Sequence, residues 1–335
     1  MMYGAAALCL IALLGARAIR ARASTQTTNP SGPAAAPPNH AVLSVEAAVE
    51  RDGFWYLVDA RGHRIHVVDS TGRPLHSFGQ RGHGPGEFNT PMTVALTDAH
   101  AFVAEMGRAD ISVFDAAGRF VRYLRVRGPC AQGNVAAMGT SGSTLYVLRR
   151  CVELPARIRL QVERSRDARI LAVWNAVADT TPVTSRASLP IHIPVMAVNT
   201  SRLIIGDGTN ACLKAVHLPD GAPQGTRCFS EVPRRPLPED EKQRLNARWG
   251  GRIAVPDSLP RIMAVALRDS VFAAQIPETT ESTSWIELSW SFNPNQRVRA
   301  LGRGPAEKSF LGARTQLIAT EDVDGMRLQV VPIAR

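Results

Sequence analysis

The amino-acid sequence predicts an all-β fold, a six-bladed β-propeller of four-stranded antiparallel blades with one short helical insertion. Three observations predict it: a strand-rich unit repeats along the chain, its spacing falls in the range of propeller blades, and turn-forming residues are abundant, with 26 glycines and 23 prolines. The composition, 45% hydrophobic and 20% charged, is that of an ordinary globular protein. It excludes a disordered, collagen-like or multi-pass membrane chain.

Residues 1–23 are predicted to form a signal peptide, or a short anchor if they are not cleaved. The uncharged apolar run from Ala5 to Ala16 is shorter than the ~20 residues that cross a bilayer, and small residues suit cleavage after Ala23. The arginines of this segment follow the apolar run, an unusual order for a signal. We expect a periplasmic or secreted protein without a stable membrane span after cleavage, or a membrane-anchored one if the segment is kept.

Residues 24–40 form a flexible linker by their Ser, Thr, Pro and Ala content, and the propeller is expected to occupy residues 41–335. The net charge is +10, from 39 basic and 29 acidic residues. Only Lys214, Lys242 and Lys308 are lysines, so arginine supplies nearly all of the positive charge.

Cleavage of the signal would remove Cys9 and leave four cysteines, an even number that suits an oxidising compartment. Cys212 and Cys228 flank a turn-rich stretch, so a hairpin would place them opposite each other. Cys130 and Cys151 flank a second stretch of this kind. Disulfides between 130 and 151 and between 212 and 228 are predicted, and four buried free thiols are the alternative.

Two copies of one unit occupy residues 55–73 and 101–119, 46 residues apart. Each copy has the pattern of a strand, a polar loop, an alternating second strand, an Asp-x-x-Gly turn and a further strand. Weaker copies lie around residues 203–221, 268–290 and 324–331. An isolated four-stranded sheet leaves both faces exposed, whereas blades packed around an axis cover one another.

The end of the chain has too few strands for a complete last blade. Residues 41–45 are therefore expected to supply the missing strand and to close the ring. A glycine-rich loop at residues 82–88, GHGPGEF, recurs as GRGPAE at residues 302–307, 220 residues further on. This distance corresponds to about five blades of ~44 residues.

The pattern G-x-G-P-G-E-F, then a strand, then I-x-V-F-D-x-x-G-R-F, resembles the NHL-repeat propellers, especially an exported bacterial group of six-bladed propellers of largely unassigned function. The resemblance is strongest at residues 52–124 and weaker at residues 200–245, where R-R-P-L-P-E-D-E follows the blade. It implies the fold and export. The wider group includes binding scaffolds, ubiquitin-ligase substrate receptors, RNA binders and a few metal-dependent lyases or lactonases, so it implies no single activity.

One side of the ring is expected to be basic. In a blade of strands A to D, the D-to-A and B-to-C loops emerge on one side and the tight Asp-x-x-Gly turns on the other. Arginine and histidine in such loops suit a protein partner or a small anionic ligand, although they can also serve only to solvate the loops. The candidate binding residues are Arg61, His63, Arg64, Arg81, His83 and Arg108.

A helix is predicted over residues 238–249, within a D-to-A connection on this same side. Proline and acidic residues stand at its start and two glycines follow it, as helix capping and the helix dipole favour. Leu245 and Trp249 share one stripe of this helix. They predict that it packs onto the propeller, with a lid over the central opening as the alternative.

The sequence carries no recognised catalytic motif. No Gly-Lys-Ser/Thr follows Gly82, no G-x-S-x-G is present, and the spacing of His63 and His66 places them on opposite sides of a strand. The positive charge is dispersed, without a basic run interleaved with aromatic residues. No cofactor and no nucleic-acid partner are therefore predicted.

The preferred function is a non-catalytic scaffold that binds through its loops. The alternative is a metal-dependent lyase or lactone hydrolase with one divalent metal in the central channel. Asp59, Glu105 and Asp207 fall late in strand B of three copies and are the candidate ligands for that metal. Hydrogen bonding to the neighbouring B-to-C loop is the structural interpretation of the same three residues.

Overall fold

The structure is a computed structural model, and it describes thirteen segments of the chain. They are residues 41–125, 134–153, 157–165, 169–176, 194–230, 232–249, 257–268, 271–277, 283–288, 299–304, 308–312, 315–322 and 325–333. The predicted signal segment and linker lie outside them. Within these segments, no helix has the length and apolar character needed to cross a bilayer.

The first three sheets each contain four consecutive antiparallel strands, bonded in chain order. The strands are β1 (Ala47–Arg51), β2 (Phe54–Asp59), β3 (Arg64–Val68), β4 (Pro74–Phe78), β5 (Pro91–Leu96), β6 (His100–Glu105), β7 (Asp110–Asp115), β8 (Phe120–Arg125), β9 (Asn134–Ser141), β10 (Thr144–Glu153), β11 (Arg157–Arg164) and β12 (Arg169–Ala176).

The fourth and fifth sheets repeat this arrangement, and the sixth has three strands among the described residues. The strands are β13 (Pro194–Val198), β14 (Arg202–Asp207), β15 (Cys212–His217), β16 (Pro223–Cys228), β17 (Ala264–Arg268), β18 (Val271–Pro277), β19 (Thr283–Leu288), β20 (Arg299–Gly304), β21 (Lys308–Leu311), β22 (Thr315–Asp322) and β23 (Gly325–Pro332).

The first strands of the sheets form a ring around a common axis. Strand β1 contacts β5, β5 contacts β9, β9 contacts β13, β13 contacts β17, and β21 returns to contact β1. A shared core of buried side chains, including Ala264, Phe310 and Trp55, joins the fifth, sixth and first sheets. The protein is therefore an all-β propeller, as the repeat predicted.

The Asp-x-x-Gly turns fold as their sequence indicates, and they define what we call the turn side of the propeller. Asp69 Oδ1 accepts hydrogen bonds from Thr71 N at 2.9 Å and Arg73 N at 3.1 Å, and Gly72 takes a φ of +86°. The second copy repeats this geometry at Asp115. A positive φ favours glycine, so each turn requires both its Asp and its Gly.

The prediction that residues 41–45 form the missing strand of the last sheet is wrong. These residues form no strand, and one backbone hydrogen bond, from Met326 N to Val42 O at 2.7 Å, joins them to β23. Leu43 N and Ser44 N instead donate to the Asp59 carboxylate at 2.8 and 3.0 Å. Because those donors face Asp59, they cannot extend a ladder along β23.

The prediction that the glycine-rich loop recurs at residues 302–307 is also wrong for the residues that the structure describes. Gly302 and Gly304 lie within β20, where they pair with Trp285 and Thr283 of β19. The ladder between these strands continues through Gly304, so the copy begins as strand, whereas the first copy is a loop. Residues 305–307 lie outside the described segments.

The predicted helix is confirmed as α1 (Glu239–Trp249), with three acidic residues in its first turn. Backbone hydrogen bonds join the segment before the helix to the segment after it: Leu237 N donates to Asp257 O and Leu259 N donates to Arg235 O, both at 2.9 Å. The side chains of the predicted stripe, Leu245 and Trp249, lie outside the described part of the molecule.

The predicted disulfide between Cys212 and Cys228 is confirmed. The two residues stand opposite each other on β15 and β16, as expected for the two ends of a hairpin. Cys151 is also disulfide-bonded. Its predicted partner, Cys130, lies outside the described residues, so this second pairing stays a prediction.

Candidate functional site

The loop between β4 and β5 is built around the carboxylate of Glu87. Its Oε2 accepts a hydrogen bond from Gly84 N and its Oε1 one from the side-chain amide of Gln80, both at 2.9 Å. These bonds, that from Gln80 first, lower the pKa of Glu87. A Cβ atom at Gly82 would overlap the carboxylate, so the glycine of the motif makes room for its own glutamate.

Phe88 anchors the same loop in the core. Its ring is fully buried and lies 5.4 Å from that of Phe114, between centroids, and its backbone N–H donates to Gln80 O at 2.8 Å. Gly79 has a φ of +84°, and a Cβ atom there would overlap the Phe88 ring. The G-x-G-P-G-E-F motif is therefore a packing motif that holds one loop in one conformation.

Tyr123 and Arg108 brace this loop from the second sheet. The Tyr123 hydroxyl donates to Gly84 O at 2.9 Å, and the Arg108 guanidinium lies over the Tyr123 ring, 5.2 Å from its centroid. Arg108 also donates to His83 O at 2.9 Å and to Glu105 Oε1 at 2.7 Å. The loop is thus fixed before any partner binds, which reduces the entropy lost on binding.

Asp59 and Glu105 occupy the same structural position, 46 residues apart, at the ends of β2 and β6. Leu43 N donates to Asp59 Oδ2 at 2.8 Å, and Asn89 N donates to Glu105 Oε2 at 2.6 Å. In both sheets a buried carboxylate thus ties the second strand to the segment that leads into the first strand. The first two sheets therefore share their buried polar contacts as well as their backbone arrangement.

Asp59 carries the larger share of such bonds. It also accepts from Ser44 N, from Gly62 N at 2.8 Å and from His66 Nε2 at 3.2 Å. Burial alone would raise its pKa, but the hydrogen bonds from His66, Leu43 and Gly62 outweigh burial and hold the pKa below its ordinary value. Asp59 is therefore a charged structural link.

The residues considered for a metal are engaged with the loops, as the structural interpretation expected. Asp207 is buried and accepts a hydrogen bond from Thr209 N at 2.9 Å, while Asp59 and Glu105 bind the loop partners given above. In the described part of the chain, no three His, Cys, Asp or Glu side chains are grouped as a metal site requires. A metal held by these three residues stays a prediction.

Three of the six predicted basic residues tie loops together. Arg61 pairs with Glu321 of the last sheet at 3.0 Å, and Arg108 pairs with Glu105 at 2.7 Å. The His63 ring is bonded through Nδ1 to Asn89 O, which joins the loop after β2 to the loop before β5. These contacts gather the predicted residues on one side of the first two sheets, which we call the loop side.

The other three predicted residues are Arg64, Arg81 and His83, which we call the basic loop surface. Arg81 and His83 are exposed and Arg64 is half-buried. Among the described residues, none of the three side chains forms a hydrogen bond or an ion pair. Arg81 and His83 extend from the braced loop, and Arg64 begins β3 beside it.

Sequence reasoning missed Arg149 and Arg150, near the end of β10. Arg149 is fully buried and donates to Ala109 O at 3.3 Å, and its place in the strand pairing matches that of Glu105 in the second sheet. Arg150 is half-buried, and burial lowers its pKa while Asp207 opposes the shift. The third sheet departs from the exact 46-residue spacing. Only a comparison of the strand pairings therefore shows that Arg149 stands where the second sheet has Glu105.

No family model matches the sequence, and no curated protein matches it either. Solved structures resemble it in fold. The WD40 repeats of RRP9 align with a TM-score of 0.52 and 9% identity over 87% of this chain and 95% of that one. A Bacteroides fragilis protein, described as a candidate exported protein, has a TM-score of 0.49 and 10% identity over 97% and 100% of the two chains. At 9% identity the likeness to RRP9 shows the propeller fold alone.

Proposed function

We propose that this protein is a non-catalytic, exported β-propeller that binds an acidic segment of a partner protein through the basic loop surface. One observation carries the proposal: Arg64 and Arg81 form no ion pair among the described residues, whereas Arg61 and Arg108 beside them do. The charge of His83, the third residue of this surface, acts on the Glu87 carboxylate of the same loop. A carboxylate-bearing partner would supply the missing acceptors. Arginine suits this role because its planar guanidinium can bind both oxygens of a carboxylate.

The rigidity of the loop supports the same function. Exposed ion pairs contribute only about 0.2–1 kcal/mol each, so a few flexible arginines would bind an acidic segment weakly. Here the backbone that carries Arg81 and His83 is held by Glu87, Tyr123 and Arg108. Binding therefore has to order only side chains, and several weak contacts can add to a measurable affinity.

The finer architecture and the location belong to this proposal. We take the six sheets to be the six blades of one closed ring related to the NHL-repeat propellers. Export is supported by the apolar leader in the sequence and by the disulfide between Cys212 and Cys228, since such bonds persist in oxidising compartments.

The test uses a fluorescein-labelled decaglutamate peptide and fluorescence anisotropy at low salt. We expect Arg81→Glu to weaken binding by about tenfold, because a charge reversal replaces attraction by repulsion. The matched control is Arg122→Glu in the middle of β8, an exposed arginine outside the six candidate residues that changes the net charge equally. It should change the affinity by less than about twofold, and added salt should weaken wild-type binding.

Equal losses in the two variants would show that the peptide senses only the total charge, and would overturn the assignment to the basic loop surface. Wild-type protein that does not bind the peptide at low salt would overturn the proposed partner chemistry. A second variant, Arg64→Gln combined with Arg81→Gln, removes the charges without reversing them. It should weaken binding without affecting the melting temperature.

A further inference from the structure

Two large apolar side chains are exposed on the loop side, Leu43 before β1 and Met106 after β6. Their solvent-exposed fractions are 42% and 44%. The other large apolar side chains that are exposed among the described residues lie elsewhere. Phe54 follows the turn between β1 and β2, and Leu75 and Val121 belong to the outer strands β4 and β8. Apolar surface rimmed by polar residues marks protein interaction sites.

The backbone that carries each of these two side chains is fixed. Leu43 N donates to Asp59 Oδ2 at 2.8 Å, and Val42 before it is buried. Met106 N donates to Thr90 O at 2.9 Å. The fold therefore holds Leu43 and Met106 in solvent, and a partner that covers them has to order little more than their side chains.

Leu43 lies next to Arg64, on one side of the basic loop surface. The carboxylate that accepts from Leu43 N belongs to Asp59, which stands directly opposite Arg64 in the pairing of β2 with β3. Asp59 also accepts from Gly62 N at 2.8 Å, in the loop that leads into Arg64. One carboxylate thus joins the segment of Leu43 to the start of β3.

Met106 lies on the other side of the surface, next to the loop of His83. Arg108, two residues after Met106, donates to His83 O at 2.9 Å. The His63 ring is bonded to Asn89 O, and the next residue in the chain accepts from Met106 N. The basic loop surface is therefore bordered by one exposed apolar side chain on each side.

We propose that the acidic segment bound by the basic loop surface carries apolar side chains beside its acidic residues, and that these side chains bind Leu43 and Met106. This partner chemistry rests on the proposed function and specifies it further. Charge complementarity selects an acidic segment, and apolar contacts add affinity that salt does not screen. Methionine suits such a contact because its unbranched side chain adapts to the shape of a partner.

The test uses two fluorescein-labelled peptides of ten residues that carry the same charge. Both contain eight glutamates, and the third and eighth positions are leucine in one peptide and serine in the other. In fluorescence anisotropy at low salt, wild-type protein should bind the leucine peptide about tenfold more tightly, because only leucine buries apolar surface. Added salt should weaken the binding of both peptides and leave the ratio of their affinities unchanged.

Met106→Ser should reduce the preference for leucine to about threefold, and the double variant Leu43→Ser with Met106→Ser should remove it. Both should bind the serine peptide within about twofold of wild-type protein, because no charge changes. The matched control is Val121→Ser on β8, where the exposed fraction is 47%, close to that of Met106. It should keep the full preference. Since all these side chains are exposed, each variant should keep the wild-type melting temperature.

Three results would overturn the inference. Equal binding of the two peptides by wild-type protein would exclude the apolar contacts and leave the acidic partner in place. A full preference in the double variant, or an equal loss in Val121→Ser and Met106→Ser, would show that the leucines bind elsewhere. If wild-type protein binds neither peptide at low salt, the proposed function fails, and the apolar contacts fail with it.

Discussion

The turn side and the loop side of the first two sheets use arginine in opposite ways. On the turn side, Arg73 pairs with Asp69 at 3.2 Å and Arg119 pairs with Asp115 at 2.8 Å. Each pair forms within a single turn, four residues apart. On the loop side, Arg64 and Arg81 of the basic loop surface form no ion pair among the described residues. The position of the nearest carboxylate, and not the total charge, thus separates a solvated turn from a candidate binding surface.

The carboxylates of the two sides differ as well. Among the residues that the structure describes, the carboxylates of Asp69 and Asp115 accept hydrogen bonds only from their own turns. Asp59 and Glu105 accept from segments about fifteen residues away, and both are buried. Turn-side carboxylates therefore shape the chain locally, whereas loop-side carboxylates join separate parts of a sheet.

The largest expected effect comes from removing the Asp59 carboxylate. Asp59→Ala leaves the backbone donors of Leu43, Ser44 and Gly62, which are buried or partly buried, without their acceptor, and should lower the free energy of unfolding by about 3 kcal/mol or more. Asp69→Ala, on the turn side, should cause a much smaller loss. Urea unfolding measures both. Similar losses at the two positions would contradict the distinction between joining and local carboxylates.

The next effect concerns the rigidity of the loop that carries Arg81. Gly79 and Gly107 both have a positive φ, but a Cβ atom at Gly79 would overlap the Phe88 ring, whereas one at Gly107 would meet nothing within 4 Å. Gly107→Ala should therefore cost only backbone strain, about 1 kcal/mol, and Gly79→Ala about 3 kcal/mol. Chemical denaturation of the pair tests this. Equal costs would mean that the loop can move away from Phe88.

A pH effect should follow on the turn side. The hydrogen bonds from Thr71, first, and from Arg73 lower the pKa of Asp69 to about 2. The ordinary value is about 3.9, so the stability that these bonds contribute is complete above that pH and is lost as the pH falls towards about 2.

Asp69→Asn isolates this contribution. Between about pH 4 and pH 2, the melting temperature of wild-type protein should fall further than that of Asp69→Asn, because the asparagine does not titrate. A difference between the two proteins that stays constant over this range would show that the turn does not depend on the charge of Asp69.

The smallest effect is expected for the turn-side arginines. Arg73→Ala and Arg119→Ala remove exposed ion pairs, which are screened by water, and should shift the melting temperature by less than about 2 °C. Neither should alter binding of the decaglutamate peptide. A loss of peptide binding on Arg73→Ala would break the comparison, because it would place the binding surface on the turn side.

Local patterns in the sequence predicted the elements well. The Asp-x-x-Gly turns, the helix over residues 238–249 and the bond between Cys212 and Cys228 all depend on residues close together in the chain. The grouping of the six basic residues on one side followed from strand order, which a repeat makes visible. For the turns, the helix and the disulfide, the pattern and the contact lie within one hairpin or one helix.

Contacts between distant parts of the chain could not be predicted. Arg61 meets Glu321, 260 residues away, and residues 41–45 bind Asp59 where a strand along β23 was expected. Which arginines are neutralised is a property of the assembled ring.

By itself, the sequence determined the repeating unit, the turns and the side of the ring on which the loops lie, because hydrophobic alternation and turn chemistry act within a few residues. The tertiary structure alone decided which carboxylates became buried links and which basic side chains found an acidic partner. It left Arg64 and Arg81 without an ion pair among the described residues. The physical reason is that charge pairing and burial depend on distances in space, which are set only when the sheets close around one axis.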